Sequence, residues 1–297
     1  MEVSERGLII MTSVIDTERP ASAQPPQRQR PTWVIVLAVI ALVAGAIGLG
    51  FWINTELTSD NTEQSGGPLG KDGVVDGSGA VITQEREVSD FDGVVFASEG
   101  MVVITVGGEE SLRIEAEDNL MPYLESTVRG GTLEIRTESG VDIDPTTEII
   151  FAIGVDDLTA IDLSGAGTIA VGDVDTAAFE VTLRGAGDIT VTSLAVEMLD
   201  VELLGAGEVT ATGVADFQKV SIMGVGSYHG DELESRIADV AIPGSGDATV
   251  WVADELDVEI NGTGTVAYYG DPAVTSIGGG GGRGCRSGCE VAARTPS

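Results

Sequence analysis

Residues 161–189 read IDLSGAGTIAVGDVDTAAFEVTLRGAGDI, and this stretch decides the fold. Gly165-Ala166-Gly167 and Gly185-Ala186-Gly187 stand 20 residues apart within it. The same form returns as Gly205-Ala206-Gly207, Gly224-Val225-Gly226, Gly244-Ser245-Gly246 and Gly262-Thr263-Gly264, at successive intervals of 20, 20, 19, 20 and 18 residues. Such a period marks a stacked repeat and not a phosphate-binding loop. Aliphatic residues sit four and two positions before each first glycine and two after each second, as in Ile161, Leu163 and Ile169, then Val181, Leu183 and Ile189. A period of two is that of a strand, and the glycines exclude a helix. Asp162, Thr182, Glu202, Ser221 and Glu259 alternate with the aliphatics and are expected to face water.

One 20-residue unit has too few inward side chains to fold alone. Units stacked at about 4.8 Å share backbone ladders and a continuous apolar interior. At ~3.3 Å per extended residue, each coil traces roughly 66 Å, enough for a flattened or triangular turn with a core one side chain deep. The expectation is an all-β solenoid with coils of about 20 residues and a Gly-x-Gly corner in each. Glycine suits that corner because backbones of stacked coils meet there and because a positive φ is expected. An antiparallel sandwich also spaces its strands at 8–12 residues, but regular repetition of the corner favours the solenoid.

Residues 74–157 are β-rich with a different pattern. Val94–Phe96, Val102–Val106, Leu112–Ala116 and Leu133–Arg136 alternate apolar and polar and are separated by Gly107-Gly108 and Gly130-Gly131. The segment reads as first coils plus a cap over the exposed end of the stack. Asp118–Leu124 is the one expected break in strand, a loop or helical turn.

The order FDGVVFASEGMVVITVGG, then RIEAEDNLMPYLESTVRGGTLEIR, then repeated V-x-L-x-G-x-G-x-I resembles the bacterial family described as "putative auto-transporter adhesin, head GIN domain". The resemblance spans about residues 78–270. It implies a right-handed β-helix-like fold in cell-envelope proteins, and it carries over no catalytic residue and no cofactor.

Trp33–Ile53, WVIVLAVIALVAGAIGLGFWI, contains no charged residue. As a helix its 21 residues span roughly 31 Å, enough for a bilayer core of ~30 Å. Trp33 and Trp52 flank it as interfacial residues do, Arg28 and Arg30 precede it, and Glu56, Asp60 and Glu63 follow. The positive-inside rule then puts the N-terminus in the cytoplasm and the β region outside. The apolar run exceeds a usual signal-peptide core, so a retained single span in the cell membrane is expected. Ala41, Ala44, Gly45 and Gly48 permit helix pairing in the span, although oligomeric state stays open. The expected organisation is a disordered cytoplasmic tail (1–32), the span (33–53), a flexible linker (54–73), an extracytoplasmic solenoid (74–273) and a Gly-rich disordered tail (274–297).

The formal net charge of −33 arises entirely beyond residue 53, where 11 basic residues face 44 acidic ones. Such a surface repels nucleic acid, which is excluded as a partner. Cys285 and Cys289 lie in the Gly-rich tail as C-x3-C and are candidates for a short local disulfide outside the membrane. His229 is the lone histidine and sits in a repeat, too little for a zinc site.

Catalysis finds no footing in these residues. Arg184 is nearly the only basic residue at the glycine corners, and no nucleophile elbow or triad is present. Immediately after the second glycines stand Thr168, Asp188, Glu208, Ser227, Asp247 and Thr265. In-register stacking puts Asp188 beside Glu208, so Asp188, Glu208 and Asp247 are candidate calcium ligands, with solvated carboxylates as the plainer alternative. Trp251, Tyr268 and Tyr269 are a candidate surface for stacking on a sugar or partner, with covering the apolar end of the last coil as the plainer and favoured expectation. The sequence therefore points to a membrane-tethered, non-catalytic binding module for an envelope protein or polysaccharide, with no cofactor. The alternative is an envelope sensor acting through its cytoplasmic tail, and a polysaccharide-active enzyme ranks below both.

Overall fold

Alternating valines, leucines and isoleucines leave half of each strand apolar, and the chain buries that half by laying coil upon coil. A computed structural model describes residues 73–277 and 289–294. The expected cytoplasmic tail, the span Trp33–Ile53, residues 54–72 of the linker and Cys285 lie outside the described residues. Among the described residues no helix is long and apolar enough to cross a membrane.

Among the described residues nine strands precede the array: β1 (Val74–Asp76), β2 (Val81–Arg86), β3 (Gly93–Ala97), β4 (Glu99–Val106), β5 (Ser111–Glu117), β6 (Leu124–Arg129), β7 (Thr132–Thr137), β8 (Asp142–Asp144) and β9 (Ile150–Val155). The expected break is a single 3-10 turn at Met121–Tyr123. The array is β10 (Ala160–Leu163), β11 (Ala166–Gly172), β12 (Asp175–Leu183), β13 (Ala186–Leu203), β14 (Ala206–Ile222), β15 (Val225–Ile242), β16 (Ser245–Ile260) and β17 (Thr263–Tyr269), followed by β18 (Ala273–Ile277) and β19 (Cys289–Ala293).

Within the array every pairing is parallel and the glycine corners stack in register, forming a solenoid of about six turns. Val181, Val201, Val220, Val240 and Val258 stack as one column, and Ile169, Ile189, Val209, Tyr228, Ala248 and Val266 as another. All eleven are buried. In β13 alternation breaks twice, at buried Val191-Thr192 and at exposed Glu197-Met198. With the glycine corner these breaks make each coil three-sided. The first face precedes the glycines, the second follows them, and the third runs through residues 194–196 and their stacked equivalents.

The glycines are required more by stacking than by φ. A Cβ at Gly165, Gly167, Gly185, Gly187, Gly205, Gly207, Gly224, Gly226, Gly244, Gly246, Gly262 or Gly264 would overlap a backbone oxygen of the neighbouring coil. Only Gly187, Gly207 and Gly264 among them hold a positive φ in the glycine-favouring range, at 148°, 148° and 157°. The middle residues Ala186, Ala206 and Val225 point outward and are exposed.

The stack does not follow chain order at its start. Strands β3 and β4 pair in parallel with β10 and β11, and Ser98-Glu99-Gly100 occupies the place of Gly165-Ala166-Gly167. On their other side lie β7 and β9, which come later in the chain. Antiparallel β2, β5 and β6 complete the cap. The tail expected to be disordered from 274 contributes β18 on β16 and β19 on β17 where it is described. These pairings cover ladder groups that the last coil would otherwise leave as an open edge.

Candidate functional site

The third face carries the site because the coils differ there most. All register shifts within the array from β13 to β16 fall on or beside that face, at Val191/Leu194, Thr210/Thr212, Gly230/Glu234 and Ser235/Ile237. The 18-, 19- and 20-residue coils thus keep their glycine corners aligned and absorb length differences opposite them. A groove of about 700 Å³ runs over this face across strands β12 to β16.

Register builds two exposed columns along the groove. One holds Asp175, Ala195, Val214, Glu234 and Trp251. Two residues further along the strands, Glu197, Asp216 and Arg236 line the other side. Val214 is 51% exposed and Trp251 37%, large apolar groups on a lateral face. Trp251 was expected to cover the last coil, and it instead lies across from Tyr269 with its side chain in the groove.

A buried polar network fixes the floor. The register shift beside Glu234 leaves the Trp251 carbonyl to side chains: Ser235 Oγ donates to it at 2.7 Å, and Gln218 Nε2 at 3.4 Å. Gln218 Nε2 also donates to Ser235 Oγ at 2.6 Å, and its Oε1 accepts from Tyr228 Oη at 3.1 Å. Burial, with Asp231 nearby, pushes the Tyr228 phenol well above the ordinary tyrosine range. Its ring fits because residue 230 is glycine, where a Cβ would collide with it. Every buried polar group in this floor is paired, so it is a rigid support and not a reactive centre.

The first face shows a different electrostatic arrangement. Glu180, Asp200, Lys219, Asp239 and Asp257 stack in one column. Lys219 Nζ bonds Asp200 at 2.9 Å, and Arg184 Nε bonds Asp162 at 2.7 Å. Burial, then Asp257, raise the Asp239 carboxyl above its usual range against the pull of Lys219. Thr182, expected to face water, is buried between Asp162 and Glu202 in the ladder, where Glu180 accepts its hydroxyl.

The candidate calcium column is stacked as the spacing predicted: Asp188 pairs with Glu208, Glu208 with Ser227, and Ser227 with Asp247. Ser227 therefore separates Asp247 from the other two. Asp188 accepts the Glu208 N–H at 3.1 Å and Asp247 the Thr265 N–H at 2.8 Å, so each carboxylate caps the next coil's backbone. His229 lies 3.5 Å from Glu208 with its side chain 41% exposed. Among the described residues no group of three or more His, Cys, Asp or Glu is arranged to hold a metal ion. Of the two cysteines only the Cys289 backbone is described, as the first residue of β19.

Sequence reasoning missed one further cluster. Glu117 is fully buried in the cap and accepts the Gly79 N–H at 2.6 Å, the Thr146 N–H at 3.0 Å and the Thr146 hydroxyl. Burial alone would raise its carboxyl, but the Thr146 hydroxyl and the N–H groups of Gly79, Thr146 and Thr147 outweigh it and hold the group below the usual range. Beside it, Asn119 Nδ2 donates to the Asp76 carbonyl and Asp118 accepts from Ser78. Three consecutive side chains thus hold residues 76–79, at the end of β1 and in the segment after it. The signal was the polar run Glu117-Asp118-Asn119 at the end of an apolar strand.

Fold and groove together define a parallel β-solenoid with an amphipathic lateral groove. The chain belongs to the family described as "putative auto-transporter adhesin, head GIN domain", whose model matches residues 90–272. Among solved structures it is similar to a putative adhesin from Bacteroides fragilis, with 21% identity, a TM-score of 0.67, and coverage of 74% of this chain and 100% of that one. A putative lipid binding protein from Parabacteroides distasonis gives 22% identity and a TM-score of 0.59, covering 75% of this chain and 100% of that one. A putative adhesin from Parabacteroides merdae gives 19% and 0.56, covering 75% and 99%. These likenesses concern the fold. A comparison with curated proteins gave no match.

Proposed function

We propose that the chain is a non-catalytic binding module, held outside a bacterial cell membrane by Trp33–Ile53 and engaging an envelope partner through its third face. The observation that carries this reading is the groove, where Val214 and Trp251 stand exposed over a fully paired polar floor. Large apolar groups exposed together on a concave surface mark contact sites. Family membership and similarity to adhesin-like folds support the class. The groove carboxylates Asp175, Glu197, Asp216 and Glu234 are all exposed, without the enclosure that sets an acid and a base apart in hydrolases. Ser235 is spent on the Trp251 carbonyl and has no histidine partner.

The test compares the full chain with a Val214→Asp/Trp251→Ala variant, each immobilised, for retention of isolated cell envelopes. Loss of retention in a variant with an unchanged melting curve supports the reading. Equal retention overturns it.

A further inference from the structure

The groove and the first face handle negative charge in opposite ways. On the first face the chain supplies its own cations, Lys219 against Asp200 and Arg184 against Asp162. In the groove, the side-chain carboxylates of Asp175, Glu197, Asp216 and Glu234 make no hydrogen bond or ion pair among the described residues. Arg236, the one cation among the described residues that line the groove, is turned to Asp254 at 3.5 Å. Carboxylates on adjacent coils of one column, such as Glu197 and Asp216, stand about 4.8 Å apart along the stack and repel one another unless a counter-charge arrives. Trp251 and Val214 lie among these charges and offer a π face and an aliphatic surface.

From this juxtaposition we infer that the groove receives an extended, Arg- or Lys-bearing polypeptide segment of a partner protein. A guanidinium or ammonium group meets the carboxylates, its hydrocarbon stem packs on Val214, and an arginine stacks on Trp251. The lateral faces present backbone already hydrogen-bonded to the coil on either side, so the partner is read through side chains and not by adding a strand. A neutral sugar polymer would use Trp251 but leave the four carboxylates unneutralised, and a polyanion would be repelled. The inference rests on the binding-module reading and names its occupant.

The experiment uses the full chain in nanodiscs of zwitterionic lipid, with fluorescent octa-arginine as probe and chitohexaose as the neutral comparison. Octa-arginine should bind, more weakly at 500 mM than at 50 mM salt, as expected of exposed charge pairs. Glu197→Gln/Asp216→Asn should weaken it about tenfold, the effect of losing two such pairs, and Trp251→Ala should weaken it as well. Arg236→Gln should strengthen binding, a direction that a folding defect cannot imitate. Asp257→Asn/Glu259→Gln on the first face should leave the affinity within about twofold, since distant sites act independently.

Equal losses from the groove and first-face pairs would reduce the attraction to net charge and overturn the inference. Trp251-dependent binding of chitohexaose without binding of octa-arginine would overturn the occupant while leaving the binding module standing. Binding of neither probe that responds to groove substitutions would count against both.

Discussion

Gly207→Ala tests the stacking argument most directly. The added Cβ would overlap the Gly187 carbonyl oxygen, inside the 3.0 Å that real Cβ atoms keep, and the contact is backbone on backbone, so no side chain can move aside. The coils must part at the corner. There Leu204 N and Gly205 N both donate to the Leu183 carbonyl, at 2.8 and 2.9 Å, and Ala206 N donates to Gly185 at 3.0 Å. Losing three such bonds costs roughly 3 kcal/mol, and holding alanine at the φ of 148° adds about 1 kcal/mol or more. For a domain of this size that corresponds to a fall in Tm on the order of 10 °C. Two controls separate the causes. Gly130→Ala sits at a φ of 59° with nothing within 4 Å of its Cβ, and should cost only about 1 kcal/mol. Ala206→Ser, outward at the same corner, should be neutral. Thermal unfolding followed by circular dichroism reads all three, and nearest-neighbour stacking predicts an early partial transition in Gly207→Ala. If Gly207→Ala melted with Ala206→Ser, close packing of corners could not be the reason for the glycine period.

Glu117→Gln should lower stability at neutral pH and flatten its acid dependence. The folded-state carboxyl is depressed, so its contribution is full above the unfolded pKa of about 4.3 and is lost as pH falls through the folded value. Urea midpoints at pH 7 and pH 3 check this, and the gap between variant and parent should shrink in acid. Lys219→Met should cost no more than about 1 kcal/mol, because the pair with Asp200 is partly exposed. It should also raise the Asp239 carboxyl further, which NMR titration would show. Calcium should leave the melting curve where chelator leaves it, since Asp188 and Asp247 already accept backbone N–H groups. A calcium-dependent rise in Tm would restore the carboxylate column as a metal site.

What the sequence made legible was whatever repeats. A corner that forbids a side chain holds glycine at every turn from Gly165 to Gly264, and a column such as Val181 to Val258 is aliphatic throughout, so both announce themselves by period. The stacked pair Asp188 and Glu208 followed from the same register. Pairing between segments distant in the chain had no such signature. The degenerate corner Ser98-Glu99-Gly100 was readable only by laying Phe96–Val102 over Leu163–Ile169, because one of its glycines is replaced and its neighbour Glu99 is acidic. There burial, with Asp144 nearby, raises the Glu99 carboxyl, and one of its oxygens is buried without a partner. That β7 and β9 stack outside β3 and β4 was hidden for a related reason, since parallel register between non-consecutive segments leaves no local pattern. Tail strands β18 and β19 pair through backbone, which glycine-rich composition does not reveal.

The groove was illegible because it is built where the repeat fails. Asp175, Ala195, Val214, Glu234 and Trp251 occupy equivalent places in successive coils yet mix carboxylate, aliphatic and aromatic side chains, whereas the five stacked valines of the first face differ in nothing. Solenoid stability comes from contacts between neighbouring coils, so an outward residue opposite the glycine corner can vary without disturbing either the corner or the core. Insertions follow the same logic. Against the shorter β16 coil, residues 231–233 of β15 have no partner between Gly230 and Glu234, beside the groove, and the next glycine pair returns to register. The third face therefore combines freedom in side chain with freedom in length, while Gln218, Ser235 and Tyr228 keep its floor rigid. A surface free to diversify over a fixed frame is the physical requirement for partner choice. It follows that relatives sharing the corners should differ most along this face, and that exchanging the residues equivalent to Val214, Glu234 and Trp251 should change the ligand without changing the melting curve.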